Sequence, residues 1–270
     1  MVGRRQDGYH DLRSLMCCIG LYDSLSLDVG ASRDEIICDH PDVPADETNL
    51  ALRAALLFNR ALAETTAISP CRVSIHLSKR IPAGAGLGGG SSDAAAVLNC
   101  LNDFYKQPLT DERLHALALA LGADVPFFIH AQPALAAGVG ERLEPYPALP
   151  PWPVVVVYPG FGISTAEVFK NLNLRLTKCE KHLRYFPFTY EKFDMVRHLC
   201  NDLETVAIRQ FPVIRNIKNE LLNQGAMGAL MAGSGSAVFG LFADDRACRK
   251  AADAMSKTAR WQVFATKLLV

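Results

Sequence analysis

The sequence has no apolar run of membrane-spanning length, no excess of positive charge and no C-x-x-C cysteine motif. A spanning helix needs roughly 20 apolar residues, so no membrane association is expected. Lys plus Arg and Asp plus Glu each number 28, for a formal net charge of zero. Nucleic acids and anionic lipid surfaces select a basic excess, so no nucleic-acid partner is expected either. Lys79 with Arg80 is the local basic candidate. The eight cysteines are scattered, with no C-x-x-C pair, and that spacing excludes the common zinc frameworks. No metal-ligating residues are assigned. A chain of 270 residues can bury a core without disulfides, and no secretory signal is evident. Buried free thiols in a cytoplasmic protein are therefore expected.

Glycine is what the sequence concentrates. Pro82-Ala83-Gly84-Ala85-Gly86-Leu87-Gly88-Gly89-Gly90-Ser91-Ser92-Asp93 holds five of the 19 glycines in twelve residues. Upstream, Val73, Ile75 and Leu77 alternate with Ser74, His76 and Ser78, the period of a half-buried strand. Downstream, Ala94, Val97, Leu98, Leu101 and Phe104 fall at helical spacing. Ser91, Ser92 and Asp93 stand where an N-cap and an acidic first turn belong. The order strand, glycine loop, helix places the loop at a helix N-terminus, where unpaired N–H groups and the helix dipole suit a phosphate. A nucleotide triphosphate is the expected ligand.

Gly84-Ala85-Gly86-Leu87-Gly88-Gly89 matches G-x-G-x-x-G, but a dinucleotide site needs an acidic residue about 20 positions on, ending a second strand. Asp103 is near that spacing and falls inside the predicted helix. No Gly-Lys-Ser/Thr follows the glycines, as a Walker A loop requires. The protein-kinase signatures are missing too.

Further along, Thr110-Asp111-Glu112 opens a helix with Leu114, Leu117 and Leu121 on its apolar face, and Gly122 is its expected C′ residue. Asp124 then stands alone in the apolar segment Ala123–Phe128. It reads either as a cap on a following helix or as a functional carboxylate, since burying an unpartnered one is costly. The proline-rich run 147–153 is a linker, dividing the chain into domains 1–148 and 149–270. In the second, strands are expected at Val154–Tyr158, around Leu230, at Ala237–Phe242 and at Trp261–Leu269. Helices are expected at Ala166–Asn171, Phe193–Gln210, Val213–Asn223 and Asp245–Lys257. With extra helices set aside, β-α-β-β-α-β is a ferredoxin-like order in an α+β protein. Residues 177–190 show weak periodicity and receive no assignment.

The string P-x-x-x-G-L-G-G-G-S-S-D-A-A, Pro82 to Ala95, resembles the central motif of the GHMP small-molecule kinases. Ala232-Gly233-Ser234-Gly235-Ser236-Ala237 resembles their glycine-rich third motif, although alone it reads as a hairpin turn. Arg5-Gln6-Asp7-Gly8-Tyr9-His10, Leu121–Phe127, Asp46–Leu50 and Gly138–Glu141 are similar to one branch, which acts on a cytidine diphosphate-linked methylerythritol. The resemblance implies an N-terminal domain like the second domain of ribosomal protein S5, a ferredoxin-like C-terminal domain, and ATP with Mg²⁺. It implies Asp124 as catalytic base and Pro82–Ser92 as the phosphate cradle, with Asn49 and Lys79 on the adenine side. Tyr9 would stack on cytosine and His10 would bond its edge, with Thr165 and Phe169 lining the same pocket. A monomer or weak homodimer is expected. Two other readings stand beside this one: a GHMP kinase for homoserine or a mevalonate derivative, or a variant that binds without efficient turnover. The last arises because the family's P-A-K-x-N strand, with the lysine that partners the catalytic aspartate, has no counterpart in this sequence.

Overall fold

The computed structural model describes residues 3–4, 10–147, 149–172, 199–258 and 260–270. They group into two compact units. The helix-rich unit comprises 22–83 and 88–131; the sheet-rich unit comprises 1–21, 84–87 and 132–270.

In the helix-rich unit, β4 (Ser24–Val29), β6 (Val73–Ser78) and β5 (Glu35–Cys38) form one sheet in that order. β4 runs antiparallel to β6 and β5 parallel to it. The expected alternation in β6 holds except at Ser74: Val73, Ile75 and Leu77 are buried and His76 and Ser78 exposed, but Ser74 is also buried, donating its hydroxyl to Glu35 at 3.2 Å. Helices α1 (Leu50–Thr65), α2 (Gly89–Phe104), α3 (Asp111–Leu121) and α4 (Val125–His130) complete the unit. Ala51, Ala54 and Ala55 on α1 and Ala94 and Ala95 on α2 are fully buried in one core with Phe58, Leu98 and Leu101. Small side chains bring these helices close while the larger ones fill the space toward the sheet. Thr110 caps α3 as expected, accepting from the Arg113 amide at 3.4 Å. Gly122 ends α3 with φ 172° and ψ 155°, extended rather than the left-handed C′ conformation expected.

In the sheet-rich unit, β1 (Gly3–Arg4), β2 (His10–Met16), β7 (Ala134–Gly138) and β8 (Arg142–Pro145) form one sheet. The other has the order β10 (Gly228–Met231), β11 (Val238–Leu241), β9 (Pro153–Tyr158), β12 (Gln262–Leu269), β3 (Cys18–Ile19), antiparallel throughout. Its first four strands have the arrangement of a split ferredoxin-like unit, as the element order implies. Helices α5 (Thr165–Lys170), α6 (Glu204–Gln210), α7 (Val213–Asn223) and α8 (Asp245–Met255) accompany it. The compact units are not cut at 148. β3 pairs with β12 through Ile19–Leu268 and Cys18–Leu269, and β7 pairs with β2, so 1–21 and 132–147 group with the later sheet.

Two expectations change here. The helix read over Phe193–Gln210 begins at Glu204 in its described part. Asn201 explains this: its Oδ1 accepts from the Leu203 amide at 3.0 Å, and its Nδ2 donates to the Met231 and Gly233 carbonyls at 2.9 and 2.7 Å. A side chain tied to a distant strand end keeps residues 199–203 out of the helix, and 193–198 lie outside the described residues. The cysteines also depart from buried free thiols. Cys200 is disulfide-bonded, while Cys71 and Cys100 are free and exposed, and Cys248 is free and buried. Residues 177–190 lie outside the described residues.

Candidate active site

The glycine-rich loop leaves β6 and enters α2, but the serines do not cap the helix. α2 begins at Gly89, and its N-cap is Gly88, left-handed at φ 71° and ψ 16° with no side-chain cap bond. A Cβ on Gly88 would be strained at that φ and would sit 2.8 Å from the Phe128 ring of α4. A helix start without a capping side chain leaves first-turn amides open to an anion. Gly86, at φ 76°, has no room for a side chain either: a Cβ there would overlap the Ala232 carbonyl and lie 2.8 Å from the Gly235 amide. The two glycine segments thus meet backbone to backbone, and the Ala237 amide donates to the Ala85 carbonyl at 3.0 Å. The second segment is therefore more than a turn between β10 and β11.

Asp124 occupies the N-cap position of α4 and makes no cap hydrogen bond. Its φ of −88° and ψ of −15° are helical, so the carboxylate is not aimed back at the first-turn amides as a capping residue's would be. The capping reading fails on that geometry. The residue is exposed, yet the protein around it desolvates the carboxyl enough to raise its pKa above the usual carboxylate value. An accessible carboxylate with a raised pKa and no partner among the described residues is suited to take a proton. Phe128 links it to the loop within the same unit, since the helix that Asp124 opens presses this ring against Gly88.

Lys79 and Asn49, expected on the adenine side, are each held by the protein's own groups. The Lys79 side chain is 3% exposed and lies 2.5 Å from Asp23 and 2.8 Å from Asp93. Burial opposes its charge, but the Asp93 and Asp23 carboxylates outweigh that and raise its pKa. Asp93, read from sequence as first-turn acid, is instead a buried member of this triad. Burial, together with the nearby Asp23 charge and against the pull of Lys79, lifts it to about 6. Asn49 caps α1: its Oδ1 accepts from the Ala51 amide at 2.9 Å, and its Nδ2 donates to the Pro44 carbonyl at 2.7 Å. Asp23 was missed because no motif surrounds it.

On the expected substrate side, the hydroxyls of Thr165 and Ser234 are 2.8 Å apart, which ties the start of α5 to the third motif. Phe169 packs against the core of the sheet-rich unit. Tyr9 lies outside the described residues, and His10 opens β2 opposite Arg4.

The family model for the GHMP kinases N terminal domain matches residues 49–132, and that for the GHMP kinases C terminal matches 192–260. The chain belongs to the GHMP kinases. Among GHMP kinases, the 4-diphosphocytidyl-2-C-methyl-D-erythritol kinase of Syntrophotalea carbinolica is 45% identical over 99% of this chain and 93% of its own length. A crystal structure of 4-(cytidine 5′-diphospho)-2C-methyl-D-erythritol kinase matches with a TM-score of 0.76 at 36% identity, covering 99% of this chain and 94% of that one. A homoserine kinase from Cytophaga hutchinsonii has a TM-score of 0.75 at 16% identity, covering 95% and 89%. That likeness is one of fold alone. As a GHMP kinase the chain is an ATP-using phosphotransferase, and the alternatives acting on homoserine or mevalonate are not favoured.

Proposed function

We propose that this chain transfers the γ-phosphoryl group of ATP to the 2-hydroxyl of 4-diphosphocytidyl-2-C-methyl-D-erythritol, a step toward isoprenoid precursors by the non-mevalonate route. The observation that carries the chemistry is Asp124, a carboxylate at a helix start with no cap bond and a raised pKa. Phosphoryl transfer asks the protein mainly to place the two reactants and to stabilise developing charge. Asp124 orients the hydroxyl and accepts its proton as the O–P bond forms. The backbone amides of Gly88–Ser92 hold the phosphates, and Gly84–Leu87, backed by the third motif, fixes the loop's path. Thr165, Phe169, Tyr9 and His10 are assigned to the cytidine end, by resemblance for the last two. The boundary at 148 is kept as the family's domain division, with matched segments on either side.

Mg²⁺ belongs to this reading as the companion of ATP. No group of three or more His, Cys, Asp or Glu able to hold a metal occurs among the described residues, and Mg²⁺ needs no such cage when phosphates and water supply most of its ligands. The Ser91 and Ser92 hydroxyls are the oxygens that would complete its shell, where it would neutralise phosphate charge. Among the described residues no helix is long and apolar enough to cross a membrane. A cytoplasmic monomer or weak homodimer completes the reading.

The test is transfer of labelled γ-phosphate from ATP to 4-diphosphocytidyl-2-C-methyl-D-erythritol, with homoserine and mevalonate in parallel. Labelling of the cytidine compound alone is expected. Labelling of homoserine or mevalonate instead would overturn the substrate assignment.

A further inference from the structure

The glycine-rich loop is tied at both ends by one buried set of charges. At its entrance, Asp23 Oδ1 accepts from the Arg80 and Ile81 amides at 2.6 and 2.9 Å, the two residues before Pro82. Its Oδ2 accepts from Lys79 Nζ at 2.5 Å. The same ammonium donates to Asp93 at 2.8 Å, in the second turn of α2, past the loop's exit. Lys79 Nζ also lies 3.2 Å from where a Cβ on Gly89 would stand, so it sits against the first residue of α2. Asp39 reinforces the entrance, with Oδ1 accepting from the Lys79 amide at 3.0 Å and Oδ2 from the Ser78 hydroxyl at 2.5 Å. Three successive amides, of Lys79, Arg80 and Ile81, are thus held by carboxylates.

Two physical points give this circuit a purpose. A glycine-rich segment is entropically expensive to order, and a phosphate site works by having its donors aimed before the ligand arrives. Buried ion clusters, moreover, contribute little net stability against apolar packing; what a hydrogen-bonded cluster does fix is geometry. We propose that Asp23, Lys79 and Asp93 are a positioning triad, holding the entrance and exit of the loop at the separation its phosphate-binding form requires. The triad rests on the reading of this loop as a phosphate cradle. The triad acts through the loop amides.

Titration calorimetry on the whole chain tests this, with adenosine 5′-(β,γ-imido)triphosphate and adenosine as probes. Asp23→Ala is expected to raise the triphosphate Kd about tenfold while the adenosine Kd stays within about twofold. Asp23→Asn keeps a carbonyl oxygen for the Arg80 and Ile81 amides but sets its NH2 against the Lys79 ammonium, so it should raise the triphosphate Kd in the same direction and by less than Asp23→Ala does. Asp93→Ala breaks the circuit at its helix end with Lys79 still paired, and it should shift the triphosphate Kd in the same direction. It decides the matter if Asp23→Ala does not fold. A merely structural role would lower the melting temperature and leave the ratio of the two Kd values unchanged; that result overturns the triad. A parent chain that binds the triphosphate no tighter than adenosine instead overturns the phosphate-cradle reading, and the triad's role with it.

Discussion

Two acidic regions of the helix-rich unit share a chemistry and differ in its use. Asp93 and Asp124 are both carboxyls whose pKa is raised first of all by desolvation. Asp93 is enclosed and bonded to Lys79, which also holds Asp23. Asp124 is accessible, does not cap the helix it opens, and has no partner among the described residues. The first region is closed and serves geometry; the second is open and can exchange a proton with a ligand. A raised pKa thus does not identify a catalytic group by itself. The absence of a partner, in a position solvent or substrate can reach, separates the two.

The largest effect that could break this comparison is on turnover. Asp124→Asn preserves shape and removes the base, so kcat should fall about a thousandfold, within the range for loss of general base catalysis. The Kd of the non-hydrolysable triphosphate analogue should stay within about twofold. Near-normal kcat in steady-state assays would remove Asp124 from the chemistry and leave the two regions indistinguishable in role.

Next in size is the closed region. Lys79→Met strands Asp23 and Asp93 facing each other without a cation, and breaking a buried pair in this way costs about 3–5 kcal/mol. Urea unfolding should show that loss. Adding Asp93→Asn should restore part of it, because one stranded charge is gone. A Lys79→Met variant as stable as the parent would show that the triad is solvated and not closed.

How far these roles were legible in sequence follows from how local their signals are. The strand and helix on either side of the glycine loop, and the ferredoxin-like order, are written in periodicity and read directly. The loop's own string carried the family. Ser91-Ser92-Asp93, by contrast, is compatible with both a cap and a buried partner, and the deciding residues are remote. Lys79 is 14 positions from Asp93, and Asp23 is 56 from Lys79. Local spacing also cannot reveal that Gly88 takes the cap position in a left-handed conformation. Nor can it show that Asn201 is held by the end of β10, which keeps residues 199–203 out of the expected helix. For Asp124 the sequence left capping and catalysis both open, because the same residue in the same place serves either. The backbone angles and the missing cap bond remove the cap, and the catalytic role is the reading proposed above.

The smallest effect is also the sharpest contrast, since it concerns the sign of a stability change. Asp124 has a folded-state pKa raised above its unfolded value of about 3.8. The folded chain therefore holds a proton more tightly than the unfolded chain over the interval between the two values, and stability falls as pH rises through it. Above the folded-state pKa the ionised carboxylate is a constant cost, and below about pH 3.8 the cost is gone. Asp124→Asn, inactive as it should be, is thus expected to match the parent at low pH and to exceed it modestly in urea midpoint at neutral pH. An activating arrangement that weakens the fold is the usual trade at a catalytic position. The acid limb of kcat should report the same group, with its midpoint above the ordinary carboxylate value, because the base must be ionised to act. If Asp124→Asn were instead less stable at neutral pH and equal at low pH, the parent carboxylate would be held in its ionised form by a partner. The distinction between an open and a closed acidic region would then fail at its root.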